Sequence, residues 1–139
     1  DTYSIPSTNI ILMGRSLGTA VATYVAKLRH IKAVILISPF DSLVNIAKEH
    51  YPVFPVKLLL KHPFESVQIA QEITSPMITI IAGQDRIISN ERSVALVEHW
   101  GGESNYVIIK DAGHNTISIY PQYWDILRLF LSEMEKRSA

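Results

Sequence analysis

Gly14-Arg15-Ser16-Leu17-Gly18 places a serine between two glycines at G-x-S-x-G spacing. Three fixed positions of such common residue types arise by chance in roughly one chain in twenty of this length. The setting therefore decides what the match is worth. It falls on the junction between an apolar run, Asn9 to Met13, and a helical segment that begins at Leu17. A strained strand-to-helix turn in that setting lifts the serine hydroxyl above the end of a sheet, where it can act as a nucleophile. Gly14 and Gly18 are read as required, because side chains two residues either side of Ser16 would collide across so tight a turn. The competing reading is an ordinary turn with Ser16 capping the helix.

A serine nucleophile needs a base, and five histidines compete for that role. His30 ends a helix, where the dipole explains it. His50 and His62 sit in a proline-broken insert, and His99 falls inside a helix. His114 lies in the loop Asp111-Ala112-Gly113-His114-Asn115, beyond the end of a strand. From there it could converge on Ser16 with other strand-end loops.

The elements that would carry these residues alternate short apolar runs with amphipathic segments, the pattern of parallel βαβ units. Strands are predicted at Asn9–Met13, closed by Gly14, and at Ala33–Ile37, Met77–Ala82 and Tyr106–Ile109. Helices are predicted over Leu17–His30, Asp41–Glu49 and Ser66–Glu72, and from an N-cap at Ser89 to Trp100 with Gly101 as its stop. The last helix, about Pro121 to Lys136, sets Tyr123, Trp124, Leu127, Phe130, Leu131 and Met134 on one face at helical spacing. Pro52, Pro55 and Pro63 cut the insert, about 41–75, into short pieces.

Composition narrows the function classes. The chain has 139 residues, 47% hydrophobic and 19% charged, which suits one globular domain. Thirteen basic residues balance 13 acidic ones without a like-charge run, so neither nucleic acid nor an anionic membrane is an expected partner. The absence of cysteine excludes a disulfide framework, a thiolate zinc site and a cysteine nucleophile. It also fits a reducing, cytoplasmic compartment. No apolar run approaches the roughly 18 residues of a membrane span, and nothing calls for a metal or a cofactor.

Taken together, Gly14 to Ala22 (G-R-S-L-G-T-A-V-A), Gly83-Gln84-Asp85 and Gly113-His114-Asn115 resemble the C-terminal half of α/β-hydrolases. The branch most similar contains serine-aminopeptidase-like and depalmitoylase-like proteins. The resemblance covers nearly the whole chain. It implies an α/β fold of about four parallel strands with flanking helices and a short lid-like insert. It also implies a Ser-His-Asp triad, in the order Ser16, Asp85, His114. Asp85 stands in the loop where the family places its acid. Asp41 is the runner-up, because some members carry the acid there, and Asp111 is too close in sequence to His114. The Leu17 N–H would be one oxyanion donor, and the reaction would be hydrolysis of an ester, thioester or amide through an acyl-enzyme.

The family takes its second oxyanion donor from a loop between an earlier strand and helix, ahead of the segment matched here. Asp1 to Thr8 reads as a loop entering a strand, not as the start of a gene product. The strand Asn9–Met13 would then expose an edge with no Lys or Pro to blunt it. The expected partner is a chain bearing the N-terminal strands, or a second copy joined through that edge. The alternative is a non-catalytic half-domain that exists by association. In the insert, Tyr51, Phe54, Val56 and Leu58 to Leu60 could line an acyl pocket or simply pack onto the sheet.

Overall fold

A computed structural model describes residues 4–50 and 65–137. Four strands form one parallel sheet: β1 (Ile11–Arg15), β2 (Ala33–Ile37), β3 (Met77–Ala82) and β4 (Ser104–Ile109), in the spatial order β1-β2-β3-β4. Among the described residues the helices are α1 (Leu17–Leu28), α2 (Leu43–His50), α3 (Ser66–Ala70), α4 (Asn90–Glu98) and α5 (Pro121–Lys136). The α/β class and the four parallel strands expected from the sequence are what the chain forms. The insert residues named above as an acyl-pocket lining, with His62 and the three prolines, lie outside the described residues.

The core explains the layering. Every residue of β2 and β3 is buried, as in a sheet covered on both faces. Alternation sends Val34, Leu36 and Met77 to one face, against Ala22 and Ala26 of α1, Ala70 of α3 and Leu96 of α4. It sends Ile35, Ile37, Ile78 and Ile80 to the other, against Tyr123 and Leu127 of α5. A third cluster, Ala20, Phe40, Ile46 and Ile88, packs α2 beside the strand ends that carry the candidate site. No helix among the described residues is long and apolar enough to cross a membrane.

Several boundaries differ from the sequence reading for identifiable reasons. β1 runs two residues later than predicted, because Ser7–Asn9 folds into a 3₁₀ turn and pairing with β2 continues through Gly14↔Leu36 and Arg15↔Ile37. Gly14 is thus an interior strand residue and not its stop. α1 ends at Leu28, which leaves His30 beyond the helix. β4 begins two residues early, where Ser104 pairs with Met77. Ser89 stands at the N-cap of α4 but makes no side-chain capping bond. On α5, Tyr123, Leu127 and Met134 are buried as expected, whereas Trp124 and Leu131 are exposed.

Ser38, just past β2, has φ 45° although it is not glycine, and its buried hydroxyl has no hydrogen-bond partner among the described residues. Each feature carries a cost of about 1–3 kcal/mol. Ser38→Gly removes both at once. It is expected to raise the unfolding free energy by about 1 kcal/mol net of the entropy of a new glycine, read as a higher midpoint in urea.

Candidate active site

Parallel strands put all four C-terminal ends on one edge of the sheet, the edge where α/β proteins gather their ligands. Ser16 follows β1 directly, Asp85 follows β3, and His114 follows β4. The described structure brings these three together.

Ser16 has φ 50° and ψ −122°, far from helix or strand. Such a conformation costs about 1–3 kcal/mol unless its surroundings enforce it. Here the Ser16 N–H donates to the Ile37 carbonyl at 2.9 Å, which extends the β1–β2 ladder into the turn. The Ser16 carbonyl accepts both from the Thr19 N–H, at 2.9 Å, and from the buried Thr19 hydroxyl, at 2.6 Å. With its backbone held on both sides, the side chain is left free of the helix. Ser16 holds the N-cap position of α1, but its side chain makes no capping bond with the helix.

The two motif glycines are not equivalent. A Cβ on Gly14 would collide with the Gly18 carbonyl oxygen and come within 2.8 Å of the Gly18 carbonyl carbon and the Thr19 Cα. Among the described residues, a Cβ on Gly18 would meet nothing within 4 Å. The expectation that both are sterically required is corrected: Gly14 alone lets the turn close, and its missing side chain is what admits the Gly18 backbone. Gly14→Ala is expected to cost about 2 kcal/mol or more, by forcing the backbone to shift. Gly18→Ala should stay within about 1 kcal/mol of the parent. Thermal or urea unfolding of the two variants measures the difference.

Asp85 and His114 meet because their loops are stitched together. The Gly83 N–H donates to the Ile109 carbonyl at 2.9 Å and the Gln84 N–H to the Ala112 carbonyl at 2.8 Å. Gly83 permits that approach, since a Cβ there would lie 2.7 Å from the Lys110 Cα. The Asp85 side chain is almost wholly buried, at 1% exposure. Its Oδ1 accepts from the Ile87 and Ile88 N–H groups at 2.9 Å each, and its Oδ2 lies 2.7 Å from His114 Nδ1. A carboxylate oxygen can only accept there, so Nδ1 carries the proton and Nε2 is left as the acceptor. Nε2 stands 3.0 Å from Ser16 Oγ.

The other candidates are occupied elsewhere. Asp41 Oδ1 accepts from the Ser42 N–H at 2.7 Å, and its Oδ2 binds Asn45 Nδ2 at 2.9 Å and Arg92 Nη1 at 3.1 Å. Burial opposes the charge on Arg92, but its hydrogen bond to Glu49 and the pull of Asp41 outweigh burial and raise its pKa. His99 lies just past the end of α4, as its C-cap and not inside the helix as expected, and its Nδ1 bonds the Ala95 carbonyl at 2.7 Å. His50, from α2, donates from Nε2 to the Ile87 carbonyl at 2.9 Å and so braces the loop after β3.

The Leu17 N–H, at the first position of α1, has no intrahelical acceptor by its place in the helix. It also lies at the positive end of the dipole. Two residues escaped sequence reasoning. Thr19 gave only a helix position, and Arg15, an exposed residue inside the motif, donates from Nη2 to the His114 carbonyl at 2.7 Å. A groove lined by Pro76, Ile78, Asn105 and Phe130 starts at the opposite ends of the strands and takes no part in this site.

A family model described as serine hydrolase matches residues 2–132. The chain belongs to the serine hydrolase family. Among its curated relatives, an uncharacterised protein of Mycobacterium tuberculosis is 33% identical over 89% of this chain and 45% of its own length. Human alpha/beta hydrolase domain-containing protein 17C is 32% identical over 94% of this chain and 38% of its own. The chain therefore spans less than half the length of these relatives. Of the solved structures, an acetyl xylan esterase from Paenibacillus sp. R4 superposes with TM-score 0.73 at 18% identity, over 91% of this chain and 46% of that one. An acylaminoacyl peptidase of Pyrococcus horikoshii gives TM-score 0.73 at 15% identity, over 94% and 24%. These likenesses establish the α/β-hydrolase fold, of which the chain forms a part.

Proposed function

We propose that the protein hydrolyses a carboxylic ester, thioester or amide by two-step acyl transfer, with Ser16 as nucleophile, His114 as general base and acid, and Asp85 as the carboxylate that orients it. The observation that carries this reading is the continuous chain from Asp85 Oδ2 to His114 Nδ1, at 2.7 Å, and from His114 Nε2 to Ser16 Oγ, at 3.0 Å. Nε2 takes the hydroxyl proton as Oγ attacks the carbonyl carbon. The imidazolium, steadied by Asp85, then gives that proton to the departing alkoxide, thiolate or amine. Water, deprotonated by His114, attacks the acyl-serine, and return of the proton to Oγ releases the acid. Through both steps the Leu17 N–H donates to the oxyanion.

The test is pre-steady-state hydrolysis of p-nitrophenyl acetate and an acyl thioester by the full-length protein. A burst of leaving group equal to the enzyme concentration is expected, since acylation should outrun deacylation with such activated acyl donors. Absence of both burst and turnover with every acyl donor would leave the non-catalytic reading standing.

In the working protein, a further polypeptide segment pairs with the free edge of β1. Among the described residues β1 pairs with β2 alone. Met13 of β1 is 52% exposed, and Leu17, Val21, Tyr24 and Leu28 form an apolar stripe along α1 that is exposed to a similar degree. Soluble monomers seldom leave such a surface open beside an unblunted edge. Strands ahead of β1 would cover it and bring the second oxyanion donor, and the greater length of the relatives supports that occupant over a second copy. The 139-residue chain by itself should therefore associate or aggregate in sedimentation at micromolar concentration. A stable monomer would refute this.

A further inference from the structure

We propose that Arg15 is a positioning residue of the reaction: its guanidinium grips the backbone of His114 and so sets the imidazole over Ser16. This rests on the function proposed above. The need for such a grip follows from the sheet order. Ser16 rides on β1 and His114 on the loop after β4, at opposite edges of the four strands. Three strand spacings separate them, roughly 14 Å, so the histidine loop must lean across the ends of β3 and β2.

Apart from the two bonds of the His114 ring, to Asp85 and to Ser16, the other bonds of that loop among the described residues hold it to itself, to the loop after β3 or to Tyr120 at the start of α5. The Gly113 N–H donates to Thr116 Oγ1 at 3.0 Å, and the Thr116 N–H to the Gly113 carbonyl at 3.1 Å. Tyr120 Oη donates to the Asp111 carbonyl at 2.8 Å, and the Gln84 N–H to the Ala112 carbonyl at 2.8 Å. None of these reaches β1. The bond from Arg15 Nη2 to the His114 carbonyl, at 2.7 Å, does.

Strand alternation explains why residue 15 can make it. Ile11 packs with the α5-side cluster, so Arg15, four residues on, leaves the sheet on the same face. That is the face from which the loop after β4 runs into α5. Tyr123 of α5 lies close enough that the Arg15 charge opposes the upward push that burial gives its phenol. Because Arg15 immediately precedes Ser16, one residue ties the position of the base to the turn that presents the nucleophile. A guanidinium offers several N–H donors on a long, rigid fork, whereas a lysine offers a single mobile ammonium. A neutral apolar side chain offers none. A base misplaced by about 1 Å can lower the rate about 10²-fold.

The experiment compares Arg15→Met and Arg15→Lys in the full-length protein by ester kinetics and by amide hydrogen exchange over residues 113–116. Arg15→Met should lower kcat by about 10- to 100-fold with KM within about twofold, at an unchanged unfolding midpoint. Exchange of the loop amides should quicken at least about tenfold while those of Ile87 and Ile88 hold steady. Arg15→Lys, which keeps a charged donor but not the rigid fork, should recover part of both losses. Overturning results are a kcat and loop exchange in Arg15→Met within twofold of the parent, or equal losses in both variants with a lowered midpoint. Hydrogen exchange needs no turnover. If the parent protein proves inactive, unchanged exchange still refutes the grip, and faster exchange upholds it while the proposed function alone fails.

Discussion

Ser16→Ala is expected to lower kcat for ester hydrolysis in the full-length protein by about 10⁶-fold, the scale on which loss of a triad serine acts. The size of the effect follows from what would remain. Without Oγ there is no covalent intermediate, and His114 could at most activate a water from Nε2, which faces the vacated position. The Leu17 N–H would still polarise a bound carbonyl, so a residual rate of about 10³-fold over water is expected, not zero. The fold should be indifferent to the change. The turn is held by backbone bonds to Ile37 and by Thr19, not by the Ser16 side chain. An unchanged unfolding midpoint beside a lost activity would separate chemistry from structure.

Asp85→Asn is expected to cost about 10⁴-fold in kcat, while Asp41→Asn should leave turnover near the parent value. The contrast comes from where each carboxylate spends its oxygens. Asp85 Oδ1 accepts two backbone amides, which fixes the side chain so that Oδ2 must face His114 Nδ1. An amide in that position can present its NH₂ group to the ring. Nδ1 would then become the acceptor and the proton would move to Nε2, the wrong tautomer for a base. Asp41 instead faces Ser42, Asn45 and Arg92. Its replacement weakens the tie between the loop after β2 and α4, so the loss should appear as about 1–3 kcal/mol of stability and not as rate. Steady-state kinetics paired with urea unfolding of both variants reads the two effects. A reversed pattern would move the acid role to Asp41.

What the sequence made legible follows from how local each signal is. β2 and β3 are continuous apolar runs, and their limits, Ala33–Ile37 and Met77–Ala82, agree with the prediction because nothing non-local decides them. The Ser16 turn was legible because glycine spacing and a strand-to-helix change coincide there. The α/β class, four parallel strands and family membership followed from the same features. Asp85 was not readable from its own neighbourhood, because Gly-x-Asp is ordinary turn chemistry. The resemblance pointed to it, and the stitch between Gln84 and Ala112 brings it beside His114. Helical spacing put Trp124 on the buried face of α5, yet its indole N–H reaches the Ser118 carbonyl at 2.9 Å and the ring stays exposed. A period of 3.6 cannot report the width of the partner surface. Arg15 was invisible for a different reason: its partner is a backbone carbonyl 99 residues away, and no residue type signals that.

The most direct test is the reaction of the full-length protein with an activated phosphonate, followed by mass spectrometry of the labelled peptide. One adduct per chain, on Ser16, is expected, formed about 10²- to 10⁴-fold more slowly in His114→Ala because the base is gone. A folded protein that takes up no label, or takes it on another residue while Ser16 stays free, would contradict Ser16 as the nucleophile.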